Sequence, residues 1–144
     1  MVGGEAYLEA TAYEKGLQVK NGITFDTGAL IALERRGQRI RKVVERATER
    51  KIRITVPAAV ITEWWRSRND AREIILAGVR VEPLSESLAK LAGEALAAVK
   101  SATPIDAIVM ASAAQRGDLV YTSDVSDLTK LTSYFREVRV LGVG

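Results

Sequence analysis

From residue 23 onward, short apolar runs alternate with longer stretches of helical period, and few folds accept that order. Ile23, Thr24 and Phe25 form a short run that stops at Asp26. Ile52, Ile54 and Val56 alternate as far as Pro57. Residues 79–82 lie between Gly78 and Pro83, and residues 119–121 and 138–141 complete the set. Between these runs the period changes to that of a helix. One helix is predicted over residues 28–35, with Thr27 as its cap, and a second over residues 38–51 with Ile40, Val43, Val44 and Ala47 as its apolar stripe. A third starts near Ala58, carries Val60, Ile61, Trp64 and Trp65, and breaks near Asn69 before continuing over residues 71–76. Ser85 caps a fourth, with Leu88, Leu91, Ala92, Ala95, Leu96 and Val99 on one side. Thr103-Pro104 opens a fifth that ends at Gly117, and residues 127–135 read as the last. Strand and helix in alternation predict an α/β fold: a central parallel sheet, helices on both faces, right-handed crossovers.

Residues 1–22 read differently and are expected to be an N-terminal extension to a domain spanning residues 23–144. A short helix over residues 5–17, with Tyr7, Leu8, Ala12 and Tyr13 partly on one side, is bounded by Gly3-Gly4 and Asn21-Gly22. Glu5, Glu9, Glu14 and Lys15 interrupt any secretion-signal pattern, and no run approaches the roughly 20 apolar residues of a membrane span. A soluble, cytoplasmic protein without a membrane partner is expected.

The 144 residues contain neither Cys nor His. That removes disulfides, thiolate zinc sites, the Ser-His-Asp triad and His-based acid–base chemistry. Any catalysis must then rest on carboxylates, Lys, Tyr, hydroxyls, backbone groups or an oxygen-held metal, which favours magnesium, manganese or calcium. The net charge of +3 is unevenly spread. Residues 34–53 hold nine Lys or Arg against three Glu, a local +6, so the remainder of the chain carries −3. Such a stretch is either a phosphate-binding surface or a solvated helix face with Glu–Arg pairs.

In a parallel α/β sheet, ligands bind at the carboxyl ends of the strands, near the switch in strand order. The acids can be placed against that edge. Asp26 ends the first strand, Asp124 follows the strand at 119–121, and Asp127 lies one helical turn on. Asp106 is the third residue of the helix opened by Thr103-Pro104, and Glu63 sits in the helix after the second strand. Each alone has a plain structural role as a helix-terminal acid, a cap or a surface residue. Together at one edge they would repel strongly, and a divalent cation would relieve that repulsion.

These residues resemble a known family. Phe25-Asp26-Thr27-Gly28-Ala29-Leu30, Ile61-Thr62-Glu63-Trp64, Pro104-Ile105-Asp106-Ala107 and the run from Tyr121 to Leu128 look like the four motifs of PIN-domain ribonucleases. The likeness is greatest to VapC toxins of type II toxin–antitoxin systems. The resemblance implies a three-layer α/β/α sandwich, a homodimer, and Mg2+- or Mn2+-dependent endonucleolytic cleavage of RNA. It assigns Asp26, Glu63, Asp106 and Asp124 to the catalytic and metal-binding positions and Asp127 to a further acid. Thr122 and Ser123 fall at a hydroxyl position beside the fourth acid, with Thr27 near the first, as supporting or phosphate contacts. It also implies a cognate VapB-type antitoxin.

Residues 1–22 depart from the family pattern, and an imitation of the antitoxin's docking peptide is one reading of them. With no His available, a bound metal would lower the pKa of its water while Glu63 or Asp106 accepts a proton. Asp26 and Asp124 are the expected direct ligands. Beside such a site, Arg35, Arg36, Arg39, Arg41 and Lys42 become RNA-phosphate contacts. Of the adjacent Trp64 and Trp65, one is expected in the core and the other at a dimer or antitoxin interface, or stacked on a base. A haloacid dehalogenase phosphatase would need Asp where Gly28 stands, and a response-regulator receiver needs an acidic pair after its first strand. An RNA-processing nuclease without an antitoxin and a non-catalytic PIN-like binding module are the remaining alternatives.

Overall fold

A computed structural model describes residues 22–143. The expected helix over residues 5–17, and all of the extension except Gly22, lie outside the described residues. Five strands form one sheet in the order β3-β2-β1-β4-β5, and every neighbouring pair is parallel. The strands are β1 (Ile23–Phe25), β2 (Ile54–Pro57), β3 (Arg80–Glu82), β4 (Leu119–Thr122) and β5 (Arg139–Gly142). The helices are α1 (Thr27–Glu34), α2 (Gln38–Arg50), α3 (Ala58–Trp64), α4 (Asp70–Ala77), α5 (Glu86–Ala98), α6 (Pro104–Arg116) and α7 (Val125–Thr129). The result is the α/β/α arrangement that the alternation predicts. Among the described residues no helix is long and apolar enough to cross a membrane.

The three central strands β1, β2 and β4 are buried along their whole length, as strands covered on both faces must be. Helix α6 packs against β1, β2 and β4 with α5 beside it, while α1 packs with α2, α3 and α4. The apolar side expected for α5 is the one it presents: Leu88, Ala92 and Ala95 are buried, and Leu91, Leu96 and Val99 pack at their margin. Trp64 is the core member of the tryptophan pair, at 2% exposure, with Trp65 packed partly buried against it.

Two local expectations are corrected. Thr27 does not cap α1. Asp26 does, accepting a hydrogen bond from the Ala29 amide at 2.9 Å, and Thr27 is the first helical residue. A carboxylate and a hydroxyl compete for the same amides, and the residue with extended backbone, Asp26, takes the cap position. The last helix starts two residues before Asp127 and ends at Thr129, followed by a 3-10 turn over Lys130–Ser133. Hydroxyls of Thr129, Thr132 and Ser133 bond back to the carbonyls of Val125, Thr129 and Lys130, which competes with continued α-helix.

A buried polar clamp joins the far end of α6 to the sheet. The Arg116 guanidinium donates to Asp118 Oδ2 (2.9 Å) and Thr24 Oγ1 (2.8 Å), and it pairs with Glu82 Oε1 (2.9 Å). Thr24 also donates to Asp118 (2.9 Å), and Ser112 donates to Glu82. One cation thus satisfies two acids held by β3 and by the entry to β4. Removing it leaves a nearly fully buried Asp118 without its counter-charge. Arg116→Ala is therefore expected to destabilise the fold by about 3–5 kcal/mol, measured as a lowered midpoint of urea unfolding with unchanged slope.

Candidate active site

Sheet order reverses between β1 and β4, so the crevice of this fold opens beyond Phe25 and Thr122. Asp26 stands at that point and is only 8% exposed. One carboxylate oxygen caps α1, and the other accepts the Thr122 hydroxyl at 2.5 Å. Thr122 in turn accepts the Asp124 amide at 3.0 Å. One buried threonine therefore ties the end of β1 to the loop that carries Asp124. Glu63 arrives from α3 and accepts the Thr27 hydroxyl at 2.6 Å. Asp106 lies in the first turn of α6, fixed by the Thr103 cap on its amide at 3.2 Å. Ser123 rests on the first turn of α1. A Cβ at position 28 would come within 2.1 Å of its hydroxyl oxygen, so only glycine permits this approach.

The electrostatics show which acids share a field. Burial pushes the Asp26 carboxyl up from 3.8 to about 6, with repulsion from Asp106 adding to the rise and the bonds from Thr122 and Ala29 opposing it. Burial also raises Asp106, and Asp127 and Glu63 raise it further, while the Thr103 bond and Lys130 pull it down. Asp26, Asp106, Glu63 and Asp127 therefore form one interacting set. Asp124 is held below the usual carboxylate range, chiefly by the Ser126 hydroxyl at 2.8 Å, and it also pairs with Asp127. Lys130, which pairs with Asp127 at 3.7 Å, is a member that sequence reasoning missed. Its position three residues after Asp127, on the same face of a helical turn, was the available signal.

The acids gather at one edge, yet among the described residues no three stand close enough to hold a metal ion as they are placed. The donor set nevertheless suits a hard divalent cation. It is wholly oxygen, and it contains two carboxylates, Asp26 and Asp106, whose burial and mutual repulsion a cation would offset.

The five expected phosphate contacts are spread over the end of α1 and the first turns of α2. Arg35 lines a cleft with Glu63 and Glu34, and Arg36 and Arg41 line a larger groove that also includes Glu34 and reaches Arg53 and Ile54 at the start of β2. The chain turns between them: Arg36 adopts left-handed backbone (φ 63°). Arg39 and Lys42 lie exposed on α2.

Comparison with known proteins places this arrangement. Residues 23–130 match the family model of the PIN domain. Among solved structures, the chain is similar to VapBC2 from Rickettsia felis bound to a DNA fragment from their promoter, with TM-score 0.69 and 10% identity, covering 85% of this chain and 98% of that one. It is similar to a toxin–antitoxin complex from Klebsiella pneumoniae, with TM-score 0.58 and 16% identity, covering 74% and 89%. FitAcB from Neisseria gonorrhoeae matches with TM-score 0.56 and 18% identity, covering 83% and 96%. No curated protein matches the sequence.

The raised Asp26 carboxyl has a consequence for stability. The folded chain holds this proton more tightly than the unfolded chain, so the contribution of Asp26 is most favourable below pH 4 and is lost as pH rises through about 6. Asn retains the cap and removes the charge. In chelator-treated buffer, Asp26→Asn is expected to match the parent near pH 4 and to exceed it by on the order of 2–3 kcal/mol at pH 7–8. Thermal melts across that range check this.

Proposed function

This chain belongs to the PIN domain family, and on that footing we propose that it is a metal-dependent endoribonuclease acting as the toxin of a VapBC-type toxin–antitoxin pair. The observation that carries the reading is the shared field of Asp26, Glu63, Asp106 and Asp127 at the sheet's switch point, in a chain without His or Cys. Family members are nucleic-acid hydrolases, and an all-carboxylate site suits phosphodiester hydrolysis assisted by a cation.

Asp26 and Asp124 would hold Mg2+ or Mn2+ most directly, with Asp106, Glu63 and Asp127 completing the site. When bound, such an ion neutralises charge on the phosphate and supplies a water that ionises near neutral pH. The chain's own groups do the rest. Thr122 fixes the orientation of Asp26 and, through the Asp124 amide, the loop that follows β4. Asp106, raised by burial and by its acidic neighbours, is suited to take up a proton from the attacking water, with Glu63 as its partner base. Thr27 holds Glu63 in place, and Ser123 lies beside the first turn of α1 as a phosphate contact.

The toxin reading is supported by the near-complete coverage of the Rickettsia, Klebsiella and Neisseria chains. The larger groove, about 860 Å³, suits an antitoxin partner in the cytoplasm. Its floor is apolar, with Ile74 73% exposed, and Arg36, Arg41, Lys51, Arg53 and Arg80 line it. That combination fits an acidic amphipathic segment. A homodimer completes the assembly in this proposal.

Purified full-length chain is expected to cleave RNA internally when Mg2+ or Mn2+ is added and to stop on chelation. Asp26→Asn should lower the rate by on the order of 10²–10⁴-fold while retaining the fold. Sequencing of RNA ends reads the outcome, and undiminished cleavage by Asp26→Asn would overturn the assignment.

A further inference from the structure

A second cavity, of about 210 Å³, opens beside Glu63 and plays no part in the chemistry above. Its connection to the site is a shared residue: Glu63 belongs both to the interacting acids and to the wall of this cleft. The cleft lies between α1, α3 and the loop leading to α4.

One side of the cleft is charge-matched. Glu34 accepts from Trp64 Nε1 at 3.0 Å and from Arg72 Nε at 3.0 Å, and Arg72 also donates to the Ser67 carbonyl at 2.5 Å. These bonds fix α1 against α4 and the intervening loop, so the cleft is built on a rigid frame. The other lining cations are Arg35 and Arg66, both exposed. Arg66 donates through Nε to the Glu63 carbonyl at 2.9 Å, which holds its guanidinium at the end of the helix turn that carries Glu63. Two guanidinium groups beside an acid-rich site give a positive border to a negative centre. Arg35 lies eight positions after Thr27 on the same helix, about 12 Å along its axis. That places it beyond the reacting phosphate but within reach of its neighbours on one strand.

Resting on the ribonuclease reading, we propose that Arg35 and Arg66 hold a backbone phosphate of single-stranded RNA flanking the bond to be cut, so that the substrate leaves the acids along the α1–α3 cleft. The arrangement decides between two routes. The cationic surface of α2 offers a longer positive track, but Arg36 and Arg41 line the larger groove, whose wall does not include Glu63. Of the five basic residues expected from the sequence, Arg35 is the one that lines a cleft together with Glu63. An acidic peptide in the same cleft would bring carboxylates toward acids that already repel one another, whereas a strand being cut must pass this edge to reach them. Guanidinium groups suit phosphate because they donate two parallel hydrogen bonds.

The test uses full-length chain carrying Asp26→Asn, which suppresses turnover, and a fluorescently labelled single-stranded RNA of mixed sequence. Binding is followed by anisotropy across a range of NaCl concentrations. Adding Arg35→Ala and Arg66→Ala together is expected to weaken binding at least fivefold at low salt. The slope of log K against log salt should become shallower by about 0.7, the value for one phosphate charge that is no longer neutralised. The weakening should be equal on two unrelated RNA sequences, because phosphate carries no sequence information. Arg66→Lys, which keeps the charge and guards against a folding artefact, should retain the slope. An unchanged slope in the double variant, or an equal effect from Arg41→Ala, would overturn the cleft assignment while leaving the ribonuclease reading intact. Wild-type chain that neither binds nor cleaves RNA would overturn that reading itself.

Discussion

Burial of one carboxylate, Asp26, organises the rest of this molecule. It ends the most central strand, caps the helix that follows, and receives the hydroxyl of a threonine from the neighbouring strand. Those bonds fix the relative positions of β1, α1 and β4 at the point where strand order reverses. They also leave a charge where solvation is poor, which is why its carboxyl sits near 6 instead of 3.8. The folded state tolerates this because two of its hydrogen bonds favour the ionised form. Stability is thereby conceded at the place where chemistry is proposed, a common compromise in sites that must bind a cation.

The polar groups are divided between the two ends of the sheet. At the carboxyl edge the acids outnumber the cations near them, and Asp26 and Asp106 are both raised. Toward the amino edge the balance reverses, with Arg116 neutralising Asp118 there while reaching Glu82 at the end of β3, and five further cations lining the large groove. Thr24 and Asp26 are two residues apart on β1 and so point to the same face of the sheet. One strand thus anchors the far end of α6 through Arg116 and presents Asp26 toward Asp106 at its near end. The spacing between the two acids depends on that helix keeping its position along the strand.

Much of this is legible in the residues alone. The central strands are short, largely apolar runs bounded by turn or polar residues, and each longer helix carries an apolar stripe, so element order and sheet type follow from local chemistry. The placement of Asp26, Asp106 and Glu63 near one edge follows from the rule that parallel sheets bind ligands at their carboxyl ends. Local competition is harder to read. Asp26 and Thr27 are both good caps, and the choice between them depends on backbone conformation. The 3-10 turn after Thr129 arises from hydroxyls folding back on their own carbonyls, an effect that leaves no periodic trace. Lys130 escapes notice because a lysine in a short helical turn is ordinarily a solvated residue.

The sequence by itself determined the alternating architecture, the absence of imidazole and thiol chemistry, and the identities of the acids at the strand ends, because each depends on residue type and local spacing. Only the tertiary structure decided which of those acids share a field, since burial and distance across elements set a pKa. It also divided a continuous run of basic residues between two cavities. Arg35 and Arg36 are adjacent in the chain, yet a left-handed turn at Arg36 sends them into two different cavities that meet at Glu34. Charge per residue is a property of the chain, but the surface on which a charge acts is a property of the fold.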